Sequence, residues 1–303
     1  MPRAGFVAIV GRPSSGKSTI LNAICGHKIS IVSPIPQTTR NKIRGILTES
    51  RGQIVFLDTP GFHTSERRFN LHMRDLVTES LEDVEAVLYV LDATREPGRE
   101  EAELAGLLAG LDVPVVCAVN KVDDTGARPD TLRSFLSTHL AGATTLTVSA
   151  LAGTGLDELT ETLFEHIPES ELYYPQEFYT DQEPALRIAE VVREKAIAEL
   201  KQEIPHALFV DIADMEMRGA GEAGGPGAPG GAGELWVRAF IIVERDSQKG
   251  IVIGRGGERI RRVRTESEAE LAELFPYPVT LDLRVKVQPK WRTNETLLSR
   301  LVR

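Results

Sequence analysis

At 303 residues the chain is long enough for two ordinary domains, each with its own buried core. Hydrophobic residues make up 42% and charged residues 26%, average values for a soluble globular protein, and no apolar run reaches the roughly 18 residues that a membrane span needs. A net charge of −9 argues against clinging to nucleic acid through the whole surface and leaves room only for a local basic site. Met1-Pro2-Arg3 leads into a strand pattern almost at once, so no signal peptide is expected. Cys25 and Cys117 fall inside apolar patterns and read as small buried hydrophobes in a reducing cytoplasm. The six histidines show no metal-ligand spacing.

From residue 5 to about 167, short apolar runs alternate with helical patterns. Phe6–Val10, Ile54–Leu57, Ala86–Leu91, Val113–Val119 and Leu146–Val148 are nearly continuous, as expected of strands buried on both faces of a parallel sheet. Helical periods lie between them, as at Thr19–Ile24, Glu100–Leu111 and Leu156–Ile167. The pattern predicts a doubly wound α/β domain over 1–167, with its ligand at the carboxyl ends of a mostly parallel sheet.

The chemistry-bearing motifs sit at those strand ends. Gly11-Arg-Pro-Ser-Ser-Gly-Lys-Ser18 joins the first strand to the first helix and fits the phosphate-binding pattern G-x-x-x-x-G-K-[ST]. The backbone N–H groups of Gly11, Ser14, Ser15, Gly16 and Thr19 belong to this cradle, and the helix N-terminus adds positive dipole. Lys17 is expected to bridge β- and γ-phosphates, and the Ser18 hydroxyl to bind magnesium. Gln37-Thr-Thr-Arg40 is the candidate first switch, with Thr39 preferred as the threonine that completes the magnesium shell. Asp58-Thr-Pro-Gly61 follows another strand, placing Asp58 at the magnesium and the Gly61 amide at the γ-phosphate. Lys17, Thr39 and Gly61 are therefore the candidate catalytic residues.

Asn120-Lys121-Val-Asp123 ends a further strand. Asp123 is positioned to accept two hydrogen bonds from guanine N1 and N2, with Asn120 on the base's other edge and Lys121 between them. Ser149-Ala150-Leu151 suits a backbone donor to guanine O6. Adenine would leave the carboxylate unpaired, and sites that read polar groups this way discriminate by about 10⁴-fold. The set predicts GTP or GDP with Mg2+ and argues against a metabolic ATPase. Phe62 stands where many GTPases place a water-orienting glutamine, so slow intrinsic hydrolysis is expected. His63 beside it is more readily a solvated loop residue than a base.

Pro168 to Asp181 has prolines and no period, which predicts a linker over 168–182. The second domain, 183–303, opens with a helix pattern at Pro184–Leu200. Strand patterns follow at Ala207–Met215 and Leu235–Glu244, then helix patterns at Arg255–Arg264 and Ser267–Phe275. A period-two strand closes it from Val279 to Val287. Gly219–Gly233 is poor in large apolar residues and predicts a disordered hairpin tip.

Gly254-Arg-Gly-Gly257 fits the GxxG loop of a KH domain, whose glycines let protein and RNA backbones approach. Ile251, Val252 and Ile253 would floor a groove for unstacked bases, while Arg255, Arg259, Arg261, Arg262 and Arg264 would neutralise phosphates. A strand–GxxG–helix–helix–strand order with this local basicity predicts a single-stranded RNA binder. Its contact residues are Ile253, Gly254, Arg255, Gly256, Gly257, Arg259 and Arg262. The helix-first order suggests a type II KH domain of α+β class. The rival reading is a signalling GTPase whose C-terminal domain binds a protein or a membrane surface.

Taken together, these motifs resemble the Era family, within the TrmE-Era group of translation-factor-related GTPases. The likeness extends to Tyr173-Tyr174-Pro175, Thr180-Asp181, Arg193-Glu-Lys195, Val252-Ile-Gly254, and Val285-Lys-Val287 with Trp291, so it covers nearly the whole chain. A single G domain separates it from tandem-G-domain relatives, and the C-terminal domain from the tRNA-modifying branch. The resemblance implies binding to the 3′ end of small-subunit (16S) rRNA and a role in late maturation or assembly of the 30S subunit. It also implies a cytoplasmic monomer with a peripheral pool at the inner face of the cell membrane. Two departures stand out. Ser14-Ser15 replace the family's Asn-Val, removing the asparagine that in related GTPases helps hold potassium, so potassium dependence does not carry over. The 219–233 stretch is longer than the family's usual connection.

Overall fold

In the computed structural model, which describes residues 1–33, 39–63, 68–200, 208–219, 233–289 and 291, the apolar runs of the first half form one six-stranded sheet. Its strands are β1 (Arg3–Val10), β2 (Ile43–Glu49), β3 (Gly52–Asp58), β4 (Ala86–Asp92), β5 (Val115–Asn120) and β6 (Thr144–Thr147). Their order is β2-β3-β1-β4-β5-β6, with β2 antiparallel to β3 and every other pair parallel. The sheet is covered by α1 (Lys17–Cys25), α2 (Arg68–Glu79), α3 (Arg99–Leu108), α4 (Pro129–His139) and α5 (Leu156–His166).

Side chains along a strand alternate between faces, and here both faces are buried. Val7 and Ile9 of β1, with Leu88 and Val90 of β4, pack with Ile20 and Leu21 of α1 and Leu159 and Leu163 of α5. The intervening Ala8, Val10, Val87 and Leu91 pack with Val77 of α2, Leu104 of α3 and Leu136 of α4. This is why the runs are continuous rather than alternating. The sequence pattern does not mark β2, α2 or α4. β2 is an edge strand with polar residues, and α4 buries only Leu132 and Leu136. Cys25 and Cys117 are free and buried, and burial pushes both thiols up to about 12.

The chain divides into two compact units, with the change at Asp181/Gln182. The segment expected as a linker is therefore laid on the first unit as far as Asp181. Gln53 of β3, wholly buried, does much of the holding. Its Oε1 accepts from the N–H groups of Tyr173 and Tyr174, both at 3.0 Å, and its Nε2 donates to Tyr174 O at 3.0 Å and Thr48 Oγ1 at 2.9 Å. Farther on, Ile46 N donates to Tyr179 O at 2.9 Å, Thr180 Oγ1 to Arg44 O at 2.8 Å, and Arg44 pairs with Asp181 at 2.7 Å. Tyr179 also stacks on His27, with centroids 4.2 Å apart. A peptide stretch without a period of its own is ordered here by side chains from two strands.

The second unit contains α6 (Pro184–Glu199), β7 (Phe209–Arg218), β8 (Glu234–Val243), α7 (Asp246–Ile253), α8 (Glu258–Leu274) and β9 (Val279–Val287). β8 is the middle strand of a three-stranded sheet, antiparallel to β7 and parallel to β9. Pro184 begins α6, where its missing N–H has no partner to lose. Val263, Ser267 and Leu271, one face of α8, are buried. Trp291 is 1% exposed and meets Phe209 edge-on at 4.8 Å.

Two expectations for this unit are corrected. The strand expected before the GxxG loop, β8, does not lead straight into it: helix α7 intervenes, begun where the Gln248 side chain accepts from the N–H groups of Glu244 and Arg245 at 2.9 and 3.0 Å. The two helices expected over 255–275 are one continuous helix, α8, since nothing between Arg264 and Ser267 breaks it. Gln37, Thr38 and all but the ends of the 219–233 stretch lie outside the described residues.

Replacing Gln53 by alanine leaves two linker N–H groups and a carbonyl without partners. Urea unfolding of Gln53→Ala should show a loss of about 1–3 kcal/mol, with faster amide exchange over 173–181 and unchanged exchange in β4 and β5.

Candidate functional site

The first-half motifs converge at the carboxyl ends of β1, β3, β5 and β6, beside the point where the chain, having placed β3 on one side of β1, places β4 on the other. Pro13, Ser14, Gly16, Lys17, Ser18, Thr19, Thr39 and Gly61 line one pocket. Gly16 has φ 99°, and a Cβ there would lie 2.2 Å from Asn120 Nδ2, so glycine is required both by the backbone and by the guanine loop behind it. Gly11 opens the loop, and its carbonyl accepts from Phe62 N at 3.0 Å, which seats the Asp58–Gly61 loop on the phosphate loop.

Lys17 is 5% exposed and donates to Gly11 O and Arg12 O, both at 3.1 Å. Burial pushes its ammonium down to about 8, with the Asp58 carboxylate only partly opposing. Asp58 is fully buried, and burial raises its carboxyl against the pull of Lys17 and its hydroxyl donors. Ser18 Oγ donates to Asp58 Oδ2 at 2.7 Å and lies 2.9 Å from Thr39 Oγ1. Asp58 Oδ1 is a buried acceptor without a donor among the described residues. One carboxylate with a bare oxygen, flanked by two hydroxyls, is the oxygen-only donor set that suits Mg2+ between protein and phosphates. Ser18, Thr39 and Asp58 are thus brought together.

The guanine motifs are joined by Asn120, which is 2% exposed. Its Nδ2 donates to Ser15 O and its Oδ1 accepts from Ala150 N, both at 3.0 Å, so one amide ties three loops together. Lys121 adopts φ 67° and donates to Ser14 O and to Asp92 Oδ2, both at 2.7 Å. Asp123 is exposed and accepts from Ser149 Oγ at 2.5 Å. Leu151 is 84% exposed. Asp92, at the end of β4, is a site residue that the motifs do not flag. Burial raises its carboxyl, but hydrogen bonds from Lys121 and Thr94 outweigh this and hold it below the ordinary range. The signal available was an acid ending a buried apolar strand. Phe62 is 4% exposed in the core, and His63 Nδ1 is 3.0 Å from Glu100 Oε1.

In the second unit the GxxG loop joins α7 to α8. Gly254, Gly256 and Gly257 have φ 75°, 61° and 77°, and a Cβ on Gly254 would sit 2.8 Å from that of Arg259. The arginines divide into three sets. Arg261 braces the loop through Gly256 O at 2.7 Å and Gly257 O at 3.2 Å, and Arg259 bonds Ile251 O. Arg262 pairs with Glu199 and Glu258 at 3.1 and 3.0 Å. Arg255 and Arg264 are exposed and have no ion-pair partner among the described residues. Val252 is buried, Ile253 half-buried and Ile251 45% exposed, so the apolar residues before the loop point in different directions around a helix rather than forming a continuous floor.

Residues 6–121 match the family model described as 50S ribosome-binding GTPase, and residues 203–292 match the KH domain model. GTPase Era of Treponema pallidum (strain Nichols) is 45% identical over 323 residues, covering 99% of this chain and 98% of the relative. The chain belongs to the Era family. GTPase Era of Treponema denticola is 44% identical, covering 98% of this chain and 99% of that one. Two solved Era structures share the whole architecture. A variant of Aquifex aeolicus Era bound to GDP.AlF4- has TM-score 0.89 and 34% identity, covering 99% of this chain and 98% of that one. Era in complex with MgGDPNP and nucleotides 1506–1542 of 16S ribosomal RNA has TM-score 0.90 and 33% identity, covering 100% and 99%. The Era fold, a G domain followed by a KH domain, is therefore the fold of this chain.

Two measurements follow from the site. A phosphate beside Lys17 favours the charged ammonium, which the free protein gives up as pH rises past about 8. GDP binding should take up a proton above that pH, its affinity falling toward tenfold per unit. Calorimetry in buffers of different ionisation enthalpy reads the uptake, and Lys17→Met should abolish it. Asp123→Asn exchanges an acceptor for a donor and should shift preference from guanosine to xanthosine nucleotides by several powers of ten; competition binding with GDP and xanthosine diphosphate measures the ratio.

Proposed function

We propose that this Era-family GTPase binds the 3′ end of 16S rRNA through its KH domain and acts in maturation or assembly of the 30S subunit. Nucleotide binding is assigned to residues up to Asp181 and RNA binding to those from Gln182. The observation that supports the reading most is the convergence of Ser18, Thr39 and Asp58 beneath Lys17, with the guanine loops locked to it by Asn120. The RNA half rests on the GxxG loop and on the solved relative that holds 16S rRNA nucleotides.

The geometry supports the following roles. Backbone N–H groups of Gly11 to Thr19 bind phosphate oxygens, and Lys17 neutralises the charge that develops on the transferring phosphoryl group. Ser18, Thr39 and Asp58 would hold Mg2+, which would supply charge neutralisation to the phosphates. The Gly61 N–H donates to the γ-phosphate, so the loops carrying Thr39 and Gly61 sense its presence. Asp123 and the Ser149–Leu151 loop read guanine. Phe62 offers no hydrogen-bonding group to a water, in keeping with slow turnover. In the RNA site Gly254, Gly256 and Gly257 admit the sugar-phosphate backbone and Arg255 meets phosphate. Ile253 contacts bases, Arg259 supports the loop, and Arg262 exchanges its carboxylate partners for RNA.

GTP alters RNA binding by moving the linker. The chain from Thr39 runs directly into β2, and β2 carries Tyr179 and Thr180 on its outer edge through Ile46 and Arg44. A cytoplasmic, monomeric protein with a peripheral membrane pool accompanies this reading through family resemblance; among the described residues no helix is long and apolar enough to cross a membrane.

A labelled oligonucleotide of the 16S 3′ end should bind tightly to the protein loaded with a non-hydrolysable GTP analogue and at least tenfold more weakly to the GDP form. Affinity should fall with salt at a slope of about 0.7 per phosphate neutralised. Equal binding in both states would end the switch model, and binding in neither would end the RNA assignment.

A further inference from the structure

The two oxygens of Asp58 are treated differently by the chain. Oδ2 accepts hydroxyl hydrogen bonds from Ser18 and from Ser30, each 2.7 Å long, while Oδ1 is buried and accepts none from the described residues. Ser18 belongs to the phosphate-loop motif, whereas Ser30 belongs to no motif. Ser30 is 1% exposed, so its hydroxyl hydrogen must find an acceptor inside the protein, and it is aimed at the carboxylate of the magnesium site.

Ser30 is itself held rigidly. Asn22, in the second turn of α1, accepts at Oδ1 from the N–H groups of Ile29 and Ser30, both at 2.9 Å, and its Nδ2 donates to Ser30 O at 2.7 Å. Three hydrogen bonds from one helical side chain fix the backbone that presents the hydroxyl. Ser18 and Asn22 lie four residues apart on α1, so they share a helix face. Ser18 reaches Asp58 directly and Asn22 reaches it through Ser30.

We propose that Ser30 is a positioning residue for the magnesium-binding carboxylate, with Asn22 as its support. A single donor leaves a carboxylate free to rotate about its Cβ–Cγ bond. Two donors converging on Oδ2 from different directions fix that rotation and keep Oδ1 turned to where Mg2+ and its water shell belong. Ser18 cannot do this alone, because its oxygen must also serve the ion. Among the described residues the Ser30 hydroxyl bonds Asp58 alone, so its bond to Oδ2 would persist whether or not the cation is present. Loss of such an outer partner typically lowers metal affinity 10–100-fold. The inference rests on the assignment of Ser18, Thr39 and Asp58 to Mg2+.

The test is the release of a fluorescent GDP analogue from full-length protein across a series of buffered free Mg2+ concentrations. Wild-type protein should release nucleotide faster as Mg2+ is removed; if it does not, the magnesium assignment itself fails. In Ser30→Ala the Mg2+ concentration giving half-maximal retention should rise about tenfold or more, while release in magnesium-free buffer stays within about twofold of wild type. Asn22→Ala, which keeps the hydroxyl and loosens its support, should shift the same midpoint in the same direction by less, and Ser30→Thr, which keeps the donor, should restore it in part. A folded Ser30→Ala protein with an unchanged midpoint overturns the proposal. Equal weakening with and without Mg2+ also overturns it, since that marks a structural role. Should Ser30→Ala fail to fold, the midpoints of Asn22→Ala and Ser30→Thr decide between the same outcomes.

Discussion

The site depends on an ammonium and a carboxylate buried together where the sheet's strands end. Lys17 and Asp58 are both out of water, and burial moves the titration of each toward its neutral form. Isolated charges in such a place are severely penalised. The surrounding groups offset that penalty only in part: two hydroxyls serve one oxygen of Asp58, and two carbonyls serve the ammonium. The remaining deficit is of the kind that phosphate and a divalent cation would make good. A fold that keeps this pair has invested its stability in binding its ligand.

A second constraint acts at right angles to the first. The phosphate loop comes from β1, the Asn120 loop from β5 and the Ser149 loop from β6, and the sheet does not by itself join the phosphate loop to the other two. The Asn120 amide does so by donating to Ser15 O and accepting from Ala150 N, and Lys121 adds a bond to Ser14 O. Base reading and phosphate grip are therefore parts of one hydrogen-bonded body. The cost is borne locally, in the left-handed backbones of Ser14 and Lys121, about 1–3 kcal/mol for such residues.

Much of this was legible in the sequence, and the reasons for the rest are physical. Strands buried on both faces announce themselves as unbroken apolar runs, so β1, β3, β4 and β5 could be read directly, as could the loops that follow them. The edge strand β2 and helix α4 bury few residues and leave weak periods. α7 was masked by the Ile251–Ile253 run, which has β-branched composition although Gln248 closes a helical cap before it. Ser30, Asn22 and Gln53 were invisible for another reason. Their work is done by single hydroxyl or amide groups reaching across the chain, and no local spacing encodes such a partnership. The GxxG loop was readable, but which arginines brace it and which face solvent was not, since that depends on where the carbonyls of the loop and of α7 and the α6 and α8 carboxylates fall.

Gln53 has a consequence for how the gene can be divided. The periodic pattern of the G domain stops at Ile167, and a fragment cut there would look complete by any count of strands and helices. It would lack the Tyr173 and Tyr174 N–H groups that satisfy a wholly buried carboxamide, and it would bare the edge of β2 that Tyr179 covers. The compact unit that carries the nucleotide motifs thus extends through Asp181. Recombination or fusion junctions placed even a dozen codons earlier would yield a sticky, unsatisfied sheet rather than a smaller GTPase.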